Sequence, residues 1–257
     1  MTKKKVLVSG CNGHMGKIVC RLIEQSNLFE FQYGFDKEIL EISNDCFTNL
    51  SDIPESDLPD IIIDFSAREA TMKLLPFAAK FNIPIVIATT GLFEDDIEKI
   101  RKVANSIPVF QSANMSVEVC LIKNILKMIA PKLQESDIEI HETHHNRKKD
   151  APSGTAYMFA DAILESLGES KNKCVYARAG KREKGQIGVS SSRGGNVVGD
   201  HKISFFGQYE TLEIKHSALS RDLFAEGALK AAEFLLKQGP GLYNMDDMIS
   251  MWCIKRR

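Results

Sequence analysis

Over the first 115 residues, short β-branched runs alternate with stretches whose apolar residues recur at helical spacing. That alternation narrows the possible folds more than any other feature of the chain. Residues 5–9 (KVLVS), 29–35, 61–65 (IIIDF), 83–89 (IPIVIAT) and 107–111 read as strands, and residues 15–23, 67–81 and 94–104 as helices between them. The uninterrupted apolar character of IIIDF and IPIVIAT is that of strands covered on both faces, which requires helices on both sides of the sheet. Strand-helix alternation implies parallel pairing through right-handed crossovers, hence a doubly wound α/β domain.

Beyond residue 115 the pattern changes. A helix is expected over residues 117–133. Residues 137–143 (DIEIHET) then alternate polar and apolar, and residues 174–217 are largely strand-like with Gly and Asn turns. Strands in succession without intervening helices predict a second α+β domain built on a mixed or antiparallel sheet. An amphipathic helix over 224–237 is expected to end at Gly239-Pro240-Gly241. The length, 257 residues, fits one large or two modest domains at roughly 150 residues each.

Lys and Arg number 33 against 34 Asp and Glu, so no overall field favours nucleic acid or an anionic membrane surface, and an anion must be held by a local cluster. There is no apolar stretch of 18 residues and no secretory leader pattern, which predicts a cytoplasmic protein. The six cysteines (Cys11, Cys20, Cys46, Cys120, Cys174 and Cys253) are irregularly spaced without a C-x-x-C pair. They read as reduced thiols that pack as small hydrophobes.

Gly10, Gly13 and Gly16 form G-x-x-G-x-x-G between the first strand and the first helix, with Asn12 where the common dinucleotide fingerprint has its second glycine. Glycine there gives the turn its freedom and lets a pyrophosphate approach main-chain N–H groups at a helix start, as in Rossmann-like domains. Asp36, 20 residues past Gly16, closes the second strand, where a carboxylate can accept from ribose hydroxyls. The adjoining Lys37 offsets the repulsion that a carboxylate alone would exert on a 2′-phosphate, so the pair predicts use of both NADH and NADPH. Thr89-Thr90-Gly91 and Ala113-Asn114-Met115 follow later strands at the carboxyl edge, where such sheets bind ligands.

Residues 142–156 (ETHHNRKKDAPSGTA) are the most informative stretch of the chain. Within it, residues 141–145 satisfy H-E-x-x-H, a zinc pattern that works only on a helix. In an extended strand His141 and His145 stand about 13 Å apart at about 3.3 Å per residue and cannot share a metal, so none is expected. His144, His145, Arg147, Lys148 and Lys149 concentrate up to five cations in six residues, and Ser153 looks like the N-cap of a helix whose start offers the N–H groups of Gly154 and Thr155. Two adjoining anion-holding devices suit a ligand with two carboxylates, or with a phosphate and a carboxylate. Histidine beside lysine also supplies what proton transfer near neutral pH requires.

This run, E-x-H-H-x-x-K-x-D-A-P-S-G-T-A, resembles the signature of the 4-hydroxy-tetrahydrodipicolinate (dihydrodipicolinate) reductase family. The loop from Gly10 to Gly16, Asp64-Phe65-Ser66, Thr89-Thr90-Gly91, Ala113-Asn114-Met115-Ser116, residues 193–201 and residues 241–247 fit the same family in order. The resemblance implies a Rossmann-like domain over residues 1–114, completed by residues 220–257 and its C-terminal helix. It also implies a substrate and oligomerisation domain over residues 115–219, and assembly as a homotetramer. It implies that NADPH or NADH reduces the unsaturated dicarboxylate ring to tetrahydrodipicolinate, in the diaminopimelate and lysine pathway. His144 and Lys148 would be the acid catalysts, and His145, Gly154 and Thr155 would hold the substrate. Gly10, Cys11, Asn12, Gly13, His14, Met15, Asp36, Lys37, Ala88, Thr89, Thr90, Ser112, Ala113, Asn114 and Met115 would line the cofactor. The chain departs from the usual pattern at His14, where arginine is common, and at Ala88 and Glu118, where glycine is. Two other readings stand beside this one: a non-catalytic dinucleotide-binding redox sensor, and an oxidoreductase acting on another small dicarboxylate.

Overall fold

The structure, a computed structural model, describes residues 2–38 and 45–254. It opens with β1 (Lys4–Ser9), α1 (His14–Glu24), β2 (Phe29–Phe35), β3 (Cys46–Phe47), β4 (Ile61–Asp64), α2 (Arg68–Phe81), β5 (Ile85–Ile87), α3 (Glu94–Ala104) and β6 (Pro108–Gln111). Next come α4 (Val117–Ile129), β7 (Asp137–His144), α5 (Gly154–Leu167), β8 (Cys174–Tyr176), β9 (Ile187–Arg193), β10 (Gly199–Phe206) and β11 (Thr211–Ala218). The described chain ends with α6 (Asp222–Leu235), β12 (Gly241–Tyr243) and α7 (Met245–Ile254). These elements form two compact units, one of Met1–Ser116 with Arg221–Arg257 and one of Val117–Ser220.

The first unit holds a seven-stranded sheet in the order β12-β6-β5-β4-β1-β2-β3, every pair of it parallel. The expected doubly wound sheet is present. β4 and β5 are buried along their whole length, as continuous apolar strands under helices must be. Leu7, Ile62, Ile85, Ile87 and Val109 from the sheet pack with Leu74 and Ile100 from α2 and α3. The chain returns to this sheet through more than one helix. α6 stops at Leu235, earlier than the Gly-Pro-Gly signal suggests, and Gly241 instead begins β12, which pairs with β6. Strands of two or three residues such as β3 and β12 are too short to show a period.

The second unit carries a five-stranded sheet in the order β11-β10-β7-β9-β8. β10 pairs antiparallel with β11 and β7, whereas β7, β9 and β8 pair in parallel, so the sheet is mixed as expected. α4 ends at Ile129 rather than Leu133 because Pro131 disfavours helical backbone in the residue before it, and a 3₁₀ turn over Ala130–Lys132 follows. Ile138, Ile140, Val189 and Ile203 form a core with Leu126 of α4 and Phe159 and Ile163 of α5. β7 alternates strictly, so Ile138, Ile140, Glu142 and His144 all share its buried face. The apolar side of this strand thus turns acidic and then basic at its end.

The five described cysteines are free thiols, Cys11 and Cys120 buried and the others half-buried; the side chain of Cys253 lies outside the described residues. Burial first, and then the neighbouring Cys46, push the Cys11 thiol up to about 12, which keeps it protonated as a packing group.

Phe110 of β6 is fully buried and meets Phe234 of α6 edge to face at 6.1 Å, which ties the C-terminal segment to the parallel sheet. Replacing Phe110 by Ala is expected to cost about 4 kcal/mol, read as a lowered urea midpoint.

Candidate active site

In the second unit the site grows from the end of β7. Glu142 is fully buried, and a charge in that position must be compensated from within the protein. Arg193, at the end of β9, grips it with two parallel bonds, Nη1 to Oε2 and Nη2 to Oε1, each 2.8 Å. Oε2 also lies 2.5 Å from His144 Nδ1, and Oε1 accepts the backbone N–H of Ser153 at 3.1 Å. Burial pushes this carboxyl upward, but hydrogen bonds from Arg193, Ser191 and His144 outweigh it and hold the group at about 2. Glu142 is therefore ionised at any physiological pH.

Ser153 caps α5 as its position predicts, its Oγ accepting from Ala156 N–H at 3.2 Å. The same Oγ lies 3.0 Å from His201 Nε2, and the His201 and His144 rings meet edge to face at 5.2 Å. Burial, and then the nearby His144, lower His201 to about 4, so it is neutral near pH 7. Its Nδ1 is buried without a hydrogen-bond partner. A bare ring lone pair is cheaper to bury than an orphaned N–H. Nε2 therefore carries the proton and donates to Ser153.

The loop between β7 and α5 holds the basic cluster, and two of its cations, Lys148 and Arg147, have partners within the unit. Lys148 Nζ pairs with Asp150 at 2.9 Å, and the Asp150 carbonyl accepts from Arg193 at 2.5 Å. Arg147 donates to Asn196 at 3.0 Å. One continuous set of bonds thus runs from Lys148 through Asp150 and Arg193 to Glu142 and His144. Gly154 and Thr155 open α5, and His145 follows the end of β7. His141 lies in the extended strand, as the H-E-x-x-H argument requires, with its ring held by Ser190 at 2.9 Å.

In the first unit, the parallel sheet places Gly10, Asp36, Ala88 and Ser112 after the carboxyl ends of β1, β2, β5 and β6. Each continues the ladder or ties back to it: Gly10 N–H to Phe35 O at 2.8 Å, Ala88 N–H to Asp64 O at 2.9 Å and Ser112 N–H to Ile87 O at 3.1 Å. Gly10 takes φ +76°, and a Cβ on Gly16 would lie 2.0 Å from the Gly10 carbonyl, so the loop folds this tightly only with glycine. Gly13 is the N-cap of α1 and offers no side chain to its first turn, which His14 and Met15 begin. The Asp36 carboxylate accepts from Asn12 N–H at 3.0 Å and Lys37 N–H at 2.8 Å, fixing it beside the loop that also contains Cys11.

Asp64 is a fully buried carboxylate at the end of β4. It accepts from Thr71 Oγ1 at 2.6 Å, Thr89 Oγ1 at 2.9 Å and Ser66 N–H at 3.1 Å, and so anchors the loop that carries Thr89 and Thr90. In the loop after β6, Ser112 Oγ donates to Asn114 O at 2.7 Å, and Asn114 Oδ1 accepts from Ser116 N–H at 2.9 Å, which shapes the turn through Ala113 to Met115.

Residues 4–115 match the family described as "Dihydrodipicolinate reductase, N-terminus", and residues 118–249 match "Dihydrodipicolinate reductase, C-terminus". The 4-hydroxy-tetrahydrodipicolinate reductase of Caldanaerobacter subterraneus subsp. tengcongensis is 45% identical over 248 residues, spanning 95% of this chain and 98% of that protein. The protein of the same name from Clostridium novyi is 43% identical over 251 residues, spanning 95% and 98%. The chain belongs to the dihydrodipicolinate reductase family. A solved dihydrodipicolinate reductase from Paenisporosarcina sp. TG-14, with dipicolinate bound, has the same fold at a TM-score of 0.78 and 20% identity, covering 95% of this chain and 98% of that one.

Beside the family signature, the structure brings in residues to which the sequence reading assigned no role. Glu142, Arg193, His201 and Asp64 carry the buried polar framework. The signal for Glu142 was present, since a glutamate in register with Ile138 and Ile140 points into a core and needs a cation. Arg193, about 50 residues away, offered no local signal.

Burial of neutral His201 predicts acid sensitivity. Its folded value, about 4, lies below the ordinary 6.5, so its contribution is complete above pH 6.5 and is lost as pH falls toward 4. His216, also lowered by burial, acts in the same direction. The melting temperature should fall across this window, by an amount equivalent to about 3 kcal/mol in all from His201. In His201→Gln the fall should be visibly shallower.

Proposed function

We propose that this chain is an NAD(P)H-dependent 4-hydroxy-tetrahydrodipicolinate reductase acting in the diaminopimelate and lysine pathway, with tetrahydrodipicolinate as product. The observation that carries the reading is the ordered end of β7. There His144, bound to an ionised Glu142, adjoins the Ser153-capped start of α5 and the Lys148 loop, in a chain of this family.

The second unit holds the dicarboxylate. Gly154 and Thr155, at the start of a 14-residue helix, present N–H groups and the positive end of the helix dipole to one carboxylate. His145 and the loop cations serve the other. His144 and Lys148 deliver the proton that balances hydride addition, the 4-hydroxyl being lost as water; His144 through Glu142 and Lys148 through Asp150 are tied to Arg193, so their donor atoms are held in one framework.

The first unit holds the dinucleotide. The Gly10–Gly16 loop and the uncapped first turn of α1 fit a pyrophosphate, with Cys11, Asn12, Gly13, His14 and Met15 along it. Asp36 accepts from the adenosine ribose, and Lys37 offsets the 2′-phosphate charge, so both NADH and NADPH serve. Ala88, Thr89 and Thr90, with Ser112 to Met115, line the rest of the carboxyl edge. When bound, the reduced nicotinamide supplies the hydride.

Among the described residues no helix is long and apolar enough to cross a membrane. We place the protein in the cytoplasm, without membrane or nucleic-acid partners. Assembly as a homotetramer through the second unit is part of the proposal, supported by the open edge of β11 and the exposed Phe206, Tyr209 and Leu212.

Lys148→Ala should lower kcat by about 10²-fold or more and leave the dissociation constants of NADH and NADPH unchanged, as read by steady-state kinetics and nicotinamide fluorescence titration. A variant with wild-type kcat would overturn the assignment of Lys148.

A further inference from the structure

Glu142 makes contacts that a merely structural carboxylate does not need. Its two oxygens receive Nδ1 of His144 (2.5 Å), both terminal nitrogens of Arg193 (2.8 Å each) and the Ser153 N–H (3.1 Å). An ionised carboxylate has about four lone-pair sites and donates nothing. Its partner nitrogen on His144 must therefore be the N–H donor, and Glu142 has no site left on which to take up a proton.

The tautomer of His144 follows. Nδ1 keeps its hydrogen in every protonation state, and any proton exchanged with a ligand passes through Nε2. Nε2 faces Gly199, where a Cβ would approach to 3.0 Å, so any side chain at that position would crowd the nitrogen.

Charged and titratable groups face His144 from every neighbouring element. Arg193 comes from β9 through Glu142, His201 from β10, and His216 from β11 behind His201. Lys148 and Asp150 come from the loop. His201 is neutral near pH 7, and Lys148 and Asp150 pair with each other, so Glu142 is the anion in direct contact with His144.

We propose that Glu142 and Arg193 are a positioning pair for proton delivery: Glu142 fixes the His144 tautomer, and Arg193 holds Glu142 in place while restraining the Lys148 loop. The proposal rests on the reductase reading in assigning the proton to the dicarboxylate, but the electrostatic coupling can be measured without substrate. One carboxylate then governs both anion-holding devices, because its second oxygen also anchors the N-cap of α5.

The test is the pH titration of the His144 ring protons by NMR, assigned with His144→Asn, alongside the pH profile of kcat. In Glu142→Gln the imidazolium loses its anion, so the titration midpoint and the basic limb of the profile should move to lower pH by about one unit or more. The accompanying loss in kcat is about 10- to 100-fold, with KM for the dinucleotide unchanged. In Arg193→Gln a repelling cation is gone, and the midpoint should move to higher pH. Opposite displacements support the proposal.

Unmoved midpoints, or displacements in the same direction, would overturn it, because a purely structural role lowers the melting temperature without moving either one. If Glu142→Gln does not fold, Arg193→Gln decides alone: a raised midpoint supports the pair, and an unchanged or lowered one overturns it. Failure of the reductase reading would be a separate result, namely wild-type protein that titrates as described yet does not oxidise NADH or NADPH with freshly generated 4-hydroxy-tetrahydrodipicolinate.

Discussion

A carboxylate with no exposure to water exists as an anion only if the protein surrounds it with donors, and at Glu142 those donors come from three separate places in the second unit. Arg193 brings the end of β9, His144 the end of β7, and Ser153 the start of α5, while the Asp150 carbonyl joins the intervening loop through the same guanidinium. Removing either partner would leave the other charge buried and uncompensated, typically at a cost of about 3–5 kcal/mol. Such a pair is weak as a source of stability and strong as a constraint on geometry. The positions of the imidazole, the helix start and the Lys148 loop all follow from it.

The first unit solves a different problem with similar means. Its parallel strands send every loop of interest to one edge, because parallel strands share a direction and their carboxyl ends must coincide. Backbone bonds that extend the ladder past the strand ends hold Gly10, Ala88 and Ser112 in place, and buried Asp64 fastens the Thr89 loop by its hydroxyl.

How much of this could be read in the sequence depends on the range of the interaction. α1, β2, α3 and the Ser153 cap are local, and their periods and capping residues place them within a residue or so of where they stand. β3 and β12 are held by neighbours distant in sequence and are too short to carry a period, so they were invisible. The basic run at 144–149 reads as a concentration of cations, and the partners that the structure gives His144, Lys148 and Arg147, namely Glu142, Asp150 and Asn196, are not part of that reading. His201 and Arg193 enter through β10 and β9, and strand pairing over some 50 residues leaves no trace in local composition.

The central claim is that this chain moves a hydride from a dinucleotide to a dicarboxylate ring and supplies the balancing proton itself. Isotope tracing tests it most directly: a single turnover with nicotinamide deuterated at the transferring C4 position, in ordinary water, and mass analysis of the product. The account predicts tetrahydrodipicolinate carrying one deuterium and an oxidised cofactor that has lost it, with either NADH or NADPH. Unlabelled product, or cofactor that stays reduced beside freshly generated substrate, would contradict it.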